Sequence, residues 1–279
     1  MVFMFWQTTR FQIDLERPQI MGIVNVTPDS FSDGGQHDTT AKALAHCEQL
    51  VKEGASILDL GAESTRPGAM PLPLEAELAR LLPVIQGAVS LGVAISVDTY
   101  KPQVMQAALD AGADIINDIW GFRQAGALQA VAAHPNCGLC LMHMHGEPST
   151  MQITPMQGDV LDQIQTFLLQ ETARLQESGV RSERICIDPG YGFGKTVAQN
   201  FELLAHQQDI ADLGFALLAG WSRKSSLGAV TGLAVHERLI PSVAAALLAL
   251  ERGALVVRVH DVKETAQALQ VWQAMHGQK

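Results

Sequence analysis

Several short segments of this chain set carboxylate, amide and cationic side chains at spacings that could act on a polar ligand. In Ser96-Val-Asp-Thr-Tyr-Lys-Pro102, strand alternation puts Ser96 and Asp98 on one face and Ile95 and Val97 on the other. Asp98 could instead cap a helix starting near Pro102, but a capping residue would sit closer to that proline, so a functional carboxylate is the better reading. Asn117 and Asp118 occupy opposite faces of their strand, and one of them is expected to reach the ligand. Asp188-Pro-Gly-Tyr-Gly-Phe-Gly-Lys195 fixes a carboxylate ahead of alternate glycines, which allow close backbone approach, and of aromatics that can form a wall. A Gly-rich turn alone could equally be a tight loop. Gly220-Trp-Ser-Arg-Lys-Ser225 brings two cations together, while Arg258 and His260 share a strand face opposite Val257 and Val259. An arginine facing inward from a buried strand is rarely structural without a partner. Arg66, in Glu63-Ser-Thr-Arg-Pro67, adds a cation, although a solvated loop arginine fits that position almost as well.

Carboxylates or amides, several cations and an aromatic wall suit a polar heterocycle bearing phosphate. His143-Met-His145 invites a metal reading, but zinc wants at least three protein ligands and His260 is the one evident further candidate, so zinc is not expected. Cys137-Gly-Leu-Cys140 has redox spacing within a predicted strand, where residues three apart face opposite ways. Cys47, Cys137, Cys140 and Cys186 therefore read as buried free thiols.

The elements that must position these groups alternate strand and helix. Predicted strands are 20–25, 57–60, 93–97, 115–118, 138–142, 185–188, 215–219 and 256–259, each short and apolar. Predicted helices run over 40–52, 74–89, 102–111, 125–133, 199–211, 235–253 and 262–276. A further helix carries Val160, Ile164, Phe167, Leu168 and Leu175 on one stripe. Asp261 followed by Glu264 suits a capping box. Eight strand–helix units close a (β/α)8 TIM barrel, the α/β fold expected here. An open doubly wound sheet is the alternative, but no Gly-x-Gly-x-x-Gly turn follows the first strand. In a barrel the polar strand ends converge on one mouth. Residues 1–19 look like an accessory segment in which Val2 to Phe5 and Arg10 to Asp14 form a short hairpin.

The length of 279 residues suits one such domain spanning 1–279. Hydrophobic residues make up 47% and charged residues 17%, as expected where strands are buried on both faces. The formal charge of −10 argues against a nucleic-acid surface, which needs dense Lys and Arg. No apolar run approaches the ~20 residues that span a bilayer, and Met1 to Trp6 lacks the flanks of a signal peptide. The chain reads as cytoplasmic.

Taken in order, Asn25-Val-Thr-Pro-Asp-Ser-Phe-Ser-Asp-Gly-Gly35, Glu63-Ser-Thr-Arg-Pro-Gly68, Ser96-Val-Asp-Thr99, Ile116-Asn-Asp-Ile119, Leu141-Met-His-Met144, Asp188-Pro-Gly190 with Gly192-Phe-Gly-Lys195, Ser222-Arg-Lys-Ser225 and Arg258-Val-His-Asp-Val-Lys-Glu264 resemble the dihydropteroate synthases of the folate pathway. The resemblance covers nearly the whole chain. It implies condensation of 6-hydroxymethyl-7,8-dihydropterin diphosphate with p-aminobenzoate to give 7,8-dihydropteroate and diphosphate, assisted by Mg2+, with sulfonamides as competitors of p-aminobenzoate. It also implies a homodimer.

Carried over residue by residue, the resemblance assigns Asp98, Asn117, Ile119, Met142, Asp188, Phe193, Gly220, Lys224 and Arg258 to the pterin. It assigns Asn25, Arg258 and His260 to the diphosphate, with Asn25 also on the metal, and Phe31, Thr65, Arg66, Pro67 and Ser225 to p-aminobenzoate. Asp98, Lys224 and Arg258 would carry the catalysis, and Thr27 to Gly35 would cover the site. Ala62, Tyr100, Trp120 to Phe122 and Trp221 depart from the family pattern. A pterin-dependent methyltransferase could share the Asp and Asn contacts, but has no reason for the whole diphosphate cluster. A noncatalytic pterin or phosphate sensor would have lost a key position, and none is lost.

Overall fold

The structure is a computed structural model that describes residues 5–27, 36–63, 71–148 and 150–277. It opens on an antiparallel pair, β1 (Phe5–Gln7) and β2 (Gln12–Asp14), in which Trp6 lies opposite Ile13. Strands and helices then alternate: β3 (Gln19–Asn25), α1 (Gln36–Glu53), β4 (Ile57–Gly61), α2 (Leu74–Ala88), β5 (Ala94–Asp98), α3 (Pro102–Asp110), β6 (Ile115–Asp118), α4 (Ala127–Ala132) and β7 (Gly138–Met142). The series continues through α5 (Val160–Glu177), β8 (Ile185–Asp188), α6 (Val197–Ala205), α7 (Gln207–Ala211), β9 (Ala216–Ala219), α8 (Ser225–Thr231), α9 (Leu239–Leu250), β10 (Val256–Val259) and α10 (Val262–Met275). From β3 onward each strand pairs in parallel with the next, and β10 returns to β3, closing the (β/α)8 barrel. Among the described residues no helix is long and apolar enough to cross a membrane.

The interior is layered by strand periodicity. Met21, Ile57, Ala94, Ile115, Cys140, Cys186, Leu218 and Val256 pack together near the amino ends of the strands, with Trp6, Ile13 and Leu15 from the opening segment. The hairpin is thus the floor of the barrel. Two residues further along, the same inward face carries Asp59, Ser96, Asn117, Met142, Asp188 and Arg258. An apolar layer therefore underlies a polar one. Trp6 is fully buried and its indole N–H donates to the Arg184 carbonyl at 2.9 Å. Arg10 pins the same segment to β6 through Asp114, whose carboxylate also accepts the Ile95 N–H at 2.8 Å.

The predicted strands agree with the observed ones to within a residue at each end. The hairpin is shifted, because pairing Trp6 with Ile13 turns both apolar side chains to the barrel while Gln7 meets Gln12 outside. Residues 2–4 lie outside the described residues. The helix expected over 199–211 is two, α6 and α7, broken at His206. Gln207, fully buried just beyond the break, meets Tyr191 Oη and donates to the carbonyls of Ala249 and Arg252. The helix expected over 235–253 is a 3-10 turn at Val235–Glu237 followed by α9. Helix α8 was not expected. Its Ser, Gly and Thr content is a poor helical signal, and Arg238 packs so closely on Gly228 that a Cβ there would lie 2.2 Å from its Nη2.

Trp6→Ala removes the largest side chain of the floor and a buried hydrogen bond. It should lower unfolding stability by about 3–5 kcal/mol, read from the shift of the urea midpoint.

Candidate active site

The polar layer is organised around a residue that the sequence reading passed over. Asp59 is fully buried in the middle of β4. Its Oδ1 accepts from Ser96 Oγ at 2.6 Å, and its Oδ2 accepts from Arg258 Nε at 2.6 Å and Asn117 Nδ2 at 3.2 Å. Arg258 also donates Nη2 to Asp98 Oδ2 at 2.9 Å, so one guanidinium bridges two carboxylates on β4 and β5. Burial pushes the Asp98 carboxyl up to about 7 even though the guanidinium beside it pulls the other way. The available signal for Asp59 was an acid at an inward position of an otherwise apolar strand.

Asn117 and Asp118 divide as their alternation requires. Asn117 turns into the barrel, whereas Asp118 turns outward and accepts the backbone N–H groups of Trp120 and Phe122 at 2.8 Å each. Phe122 sits there at φ 61°, a left-handed conformation that costs a non-glycine residue. Asp118 is therefore a loop support that fixes the segment carrying Ile119.

At the end of β8, Asp188 Oδ1 accepts the Gly190 N–H at 2.7 Å. Gly190 has φ 70°, and a Cβ there would lie 1.8 Å from the His143 carbonyl oxygen, so no other residue fits. The loop then places Phe193 beneath Lys224, whose Nζ stands 4.3 Å from the ring centroid. Burial lowers the Lys224 ammonium to about 8, assisted by Arg258 and opposed by Asp188 and Asp98. Phe193 packs with Ile119, Met142, Met144 and Met151, and Tyr100 and Trp120 border this apolar patch. Gly220, ending just past β9, lies alongside Arg258, its built Cβ 4.0 Å from that of Arg258.

Lys195 holds the wall from behind. Its buried Nζ donates to the carbonyls of Gly190 at 2.8 Å and Phe193 at 3.2 Å, and lies 3.0 Å from His143 Nδ1. Burial brings that ammonium down to about 7, and burial together with the nearby lysine holds His143 well below its ordinary value. His143 of the paired histidines is thus engaged with Lys195. Among the described residues no group of three His, Cys, Asp or Glu is arranged to hold a metal.

The cations after β9 separate. Arg223 pairs with Asp261 through two contacts, at 2.5 and 3.1 Å, leaving Lys224 as the one of that pair that faces Asp98 and Asp188. His260 Nδ1 meets Ser222 Oγ at 3.0 Å, and that oxygen also accepts the His260 backbone N–H. Burial, then Arg258 and Arg223, hold His260 down to about 3, so the ring is neutral. Ser225 is exposed at the head of α8, and Asn25 is exposed at the end of β3. Glu63 is not open to a ligand: it accepts from Tyr100 Oη and the Leu72 N–H and pairs with Lys101, which also pairs with Glu77. Phe31, Thr65, Arg66 and Pro67, and most of the proposed cover from Thr27 to Gly35, lie outside the described residues.

With this geometry in view, the chain can be compared with known proteins. The family profile described as "Pterin binding enzyme" matches residues 21–260. The dihydropteroate synthase of Neisseria meningitidis serogroup B is 50% identical over 276 residues, 97% of each chain. That of Escherichia coli K12 is 44% identical over 263 residues, 94% of this chain and 93% of its own. Among solved structures, Burkholderia cenocepacia dihydropteroate synthase complexed with 7,8-dihydropteroate superposes with a TM-score of 0.91 at 50% identity, covering 99% of this chain and 98% of that one. The Yersinia pestis dihydropteroate synthase in complex with a sulfonamide drug gives a TM-score of 0.93 at 42% identity, over 98% of this chain and 100% of that one.

Lys195→Met would leave two carbonyls and His143 Nδ1 without their buried donor. It should destabilise the fold by at least about 2 kcal/mol, measured by denaturant unfolding.

Proposed function

The chain belongs to the pterin binding enzyme family, among the dihydropteroate synthases, and we propose that it condenses 6-hydroxymethyl-7,8-dihydropterin diphosphate with p-aminobenzoate in the mouth of its barrel. The observation that carries this reading is the convergence of Asp98, Asn117, Asp188, Lys224 and Arg258 from five strand ends above one aromatic side chain. The aminopyrimidinone edge of a pterin offers N–H groups to carboxylates, and a lysine can donate to its carbonyl and ring nitrogen. Ile119, Met142 and Phe193 supply the apolar wall for the ring.

The chemistry follows from the leaving group. The bond between the pterin methylene and the diphosphate oxygen breaks, its electron pair departs with diphosphate, and a cation delocalised over the dihydropterin remains. The Asp98 carboxylate favours that cation. Arg258 and the neutral His260 donate to the departing anion. The amine nitrogen of p-aminobenzoate then gives its lone pair to the methylene and loses a proton to water. An aromatic amine is neutral at pH 7, so no strong general base is required. Ser225, with Phe31, Thr65, Arg66 and Pro67, would hold p-aminobenzoate.

Asn25 fits a metal that travels with diphosphate: it is an exposed amide at the end of a strand, and a magnesium ion bound chiefly by phosphate and water asks the protein for one or two oxygens. Mg2+ held there would supply charge neutralisation to the departing diphosphate. Four buried free thiols fit the cytoplasm. Exposed Ile240 and Leu248 on α9, with Val271 and Met275 on α10, fit a homodimer contact. A pterin-dependent methyltransferase is disfavoured by the relatives at 40–50% identity, which carry the synthase name.

The test is to incubate the chain with Mg2+ and both substrates and to measure diphosphate and dihydropteroate; competent substrates without product would overturn the proposal. Asp98→Asn should lower kcat by about 100-fold or more. Because the ionised carboxylate is the working form, wild-type kcat/KM should fall as the pH drops through about 7, and Asp98→Asn should lose that limb. Arg258→Ala should weaken the diphosphate ester at least about tenfold more than the pterin alcohol, read by titration calorimetry.

A further inference from the structure

The sequence of β4, Ile57-Leu-Asp-Leu-Gly61, sets one acid among apolar residues. With none of its surface exposed, Asp59 has no evident way to touch a ligand. Yet three side chains from three other strands end on its two oxygens: Ser96, Asn117 and Arg258. We propose that Asp59 is a positioning residue for the pterin site, one that decides which end of the Asn117 amide and which edge of the Arg258 guanidinium are left for the ligand. The inference rests on the pterin reading above and deepens it.

The argument starts from what a carboxylate can do. The Arg258 guanidinium can only donate, and it donates to Oδ2, so that oxygen meets its neighbours as an acceptor. The Asn117 atom that faces Asp59 Oδ2 at 3.2 Å must therefore be Nδ2. Were the amide turned over, two acceptor oxygens would meet at that distance inside a buried layer, with no donor between them. Chemistry thus fixes the orientation of the amide, and Asn117 Oδ1 is turned away from Asp59. Asn117 becomes a third acceptor beside Asp98 and Asp188, set against the donor Lys224. That polarity selects a heterocycle edge rich in N–H, because an edge offering an acceptor there would leave buried groups unpaired.

Arg258 is oriented by the same contact. Asp59 takes Nε and Asp98 takes Nη2, while Nη1 has no hydrogen-bond partner among the described residues. The planar fork is held along one edge and offers the other to an anion. Asp98 can then be occupied by the pterin while Asp59 keeps the guanidinium in place. A merely structural ion pair would not couple ligand polarity to anion binding in this way.

The test uses the ratio of affinities for the diphosphate ester and the pterin alcohol. It is measured by calorimetry in wild type, Asp59→Asn, Arg258→Ala and the double variant, with thermal unfolding alongside. Asp59→Asn should weaken the alcohol by about tenfold and lower the ester-to-alcohol ratio by about a further tenfold. In the Arg258→Ala background Asp59→Asn should leave that ratio unchanged, because its effect on the anion passes through the guanidinium.

The acidic limb of kcat/KM supplies a second readout. The charges acting on Asp98 are Arg258 of β10, Asp59 of β4, Asp118 of β6, Glu77 of α2 and Lys224 beyond β9. Neutralising Asp59 removes one repelling charge and frees the guanidinium for Asp98, so the limb should move to lower pH in Asp59→Asn. A structural role would weaken both ligands alike. An unchanged ratio, an equal fall in the Arg258→Ala background, or an unmoved limb each overturns the proposal. If Asp59→Asn does not fold, Ser96→Ala removes only the donor to Oδ1 and should lower the same ratio by about two- to threefold; no change there overturns it too. Wild-type protein that binds no pterin alcohol overturns the underlying reading instead.

Discussion

A charge buried in a barrel must be answered by another charge, and here one guanidinium answers two carboxylates. Arg258 lies between Asp59 and Asp98, and much of the polar layer is placed by that arrangement. Taking three ions out of water is costly, and the cost is offset only when geometry and hydrogen bonding are nearly complete. Asp59 meets that condition through Ser96 and Asn117. Asp98 meets it less fully: it retains some exposure, and its carboxyl is held high by burial. The least satisfied member of the trio is thus the one that the proposed chemistry sets against the developing cation.

Below that layer the barrel is apolar. The hairpin floor and the apolar ring around Ile57, Ile115 and Val256 fill the inside of the barrel near the amino ends of the strands, so the charges inside the barrel gather toward the carboxyl ends. Behind the mouth, supporting residues shape its wall. Asp118 holds the turn that delivers Ile119, and Lys195 with His143 holds the turn that delivers Phe193. These are ionisable groups spent on backbone. Their work is to keep apolar surfaces at the right height above the polar ones.

Much of this was legible in the chain because buried parallel strands are short apolar runs bounded by glycine and by polar residues, and that pattern survives without knowledge of the partners. Asp98 and Asp188 stood out because each follows or ends such a run and Arg258 because it interrupts one, whereas Asn117 and Lys224 were separated from Asp118 and Arg223 only by the family resemblance. What could not be read depends on contacts made across the fold. Gln207 breaks a helix by reaching Tyr191, Ala249 and Arg252. Arg223 looked like a ligand-facing cation but belongs to Asp261. His143 looked like half of a metal site but faces Lys195. Asp59 was hidden because its partners lie 37, 58 and 199 residues away.

The closure of the barrel has a consequence for how the protein comes into being. β3 pairs with β10, so Gln19 to Gly22 wait for Val256 to Val259 before the first strand has its second neighbour. Contacts so distant along the chain form late, and a large parallel sheet is slow to assemble. Arg258 arrives on that last strand. Until it does, Asp59 and Asp98 face one another without their counter-charge, and a nascent chain on the ribosome has an unfinished mouth. The anion site proposed above therefore draws on both the first and the last strand of the barrel, and it is complete only once the final strand has closed the circle.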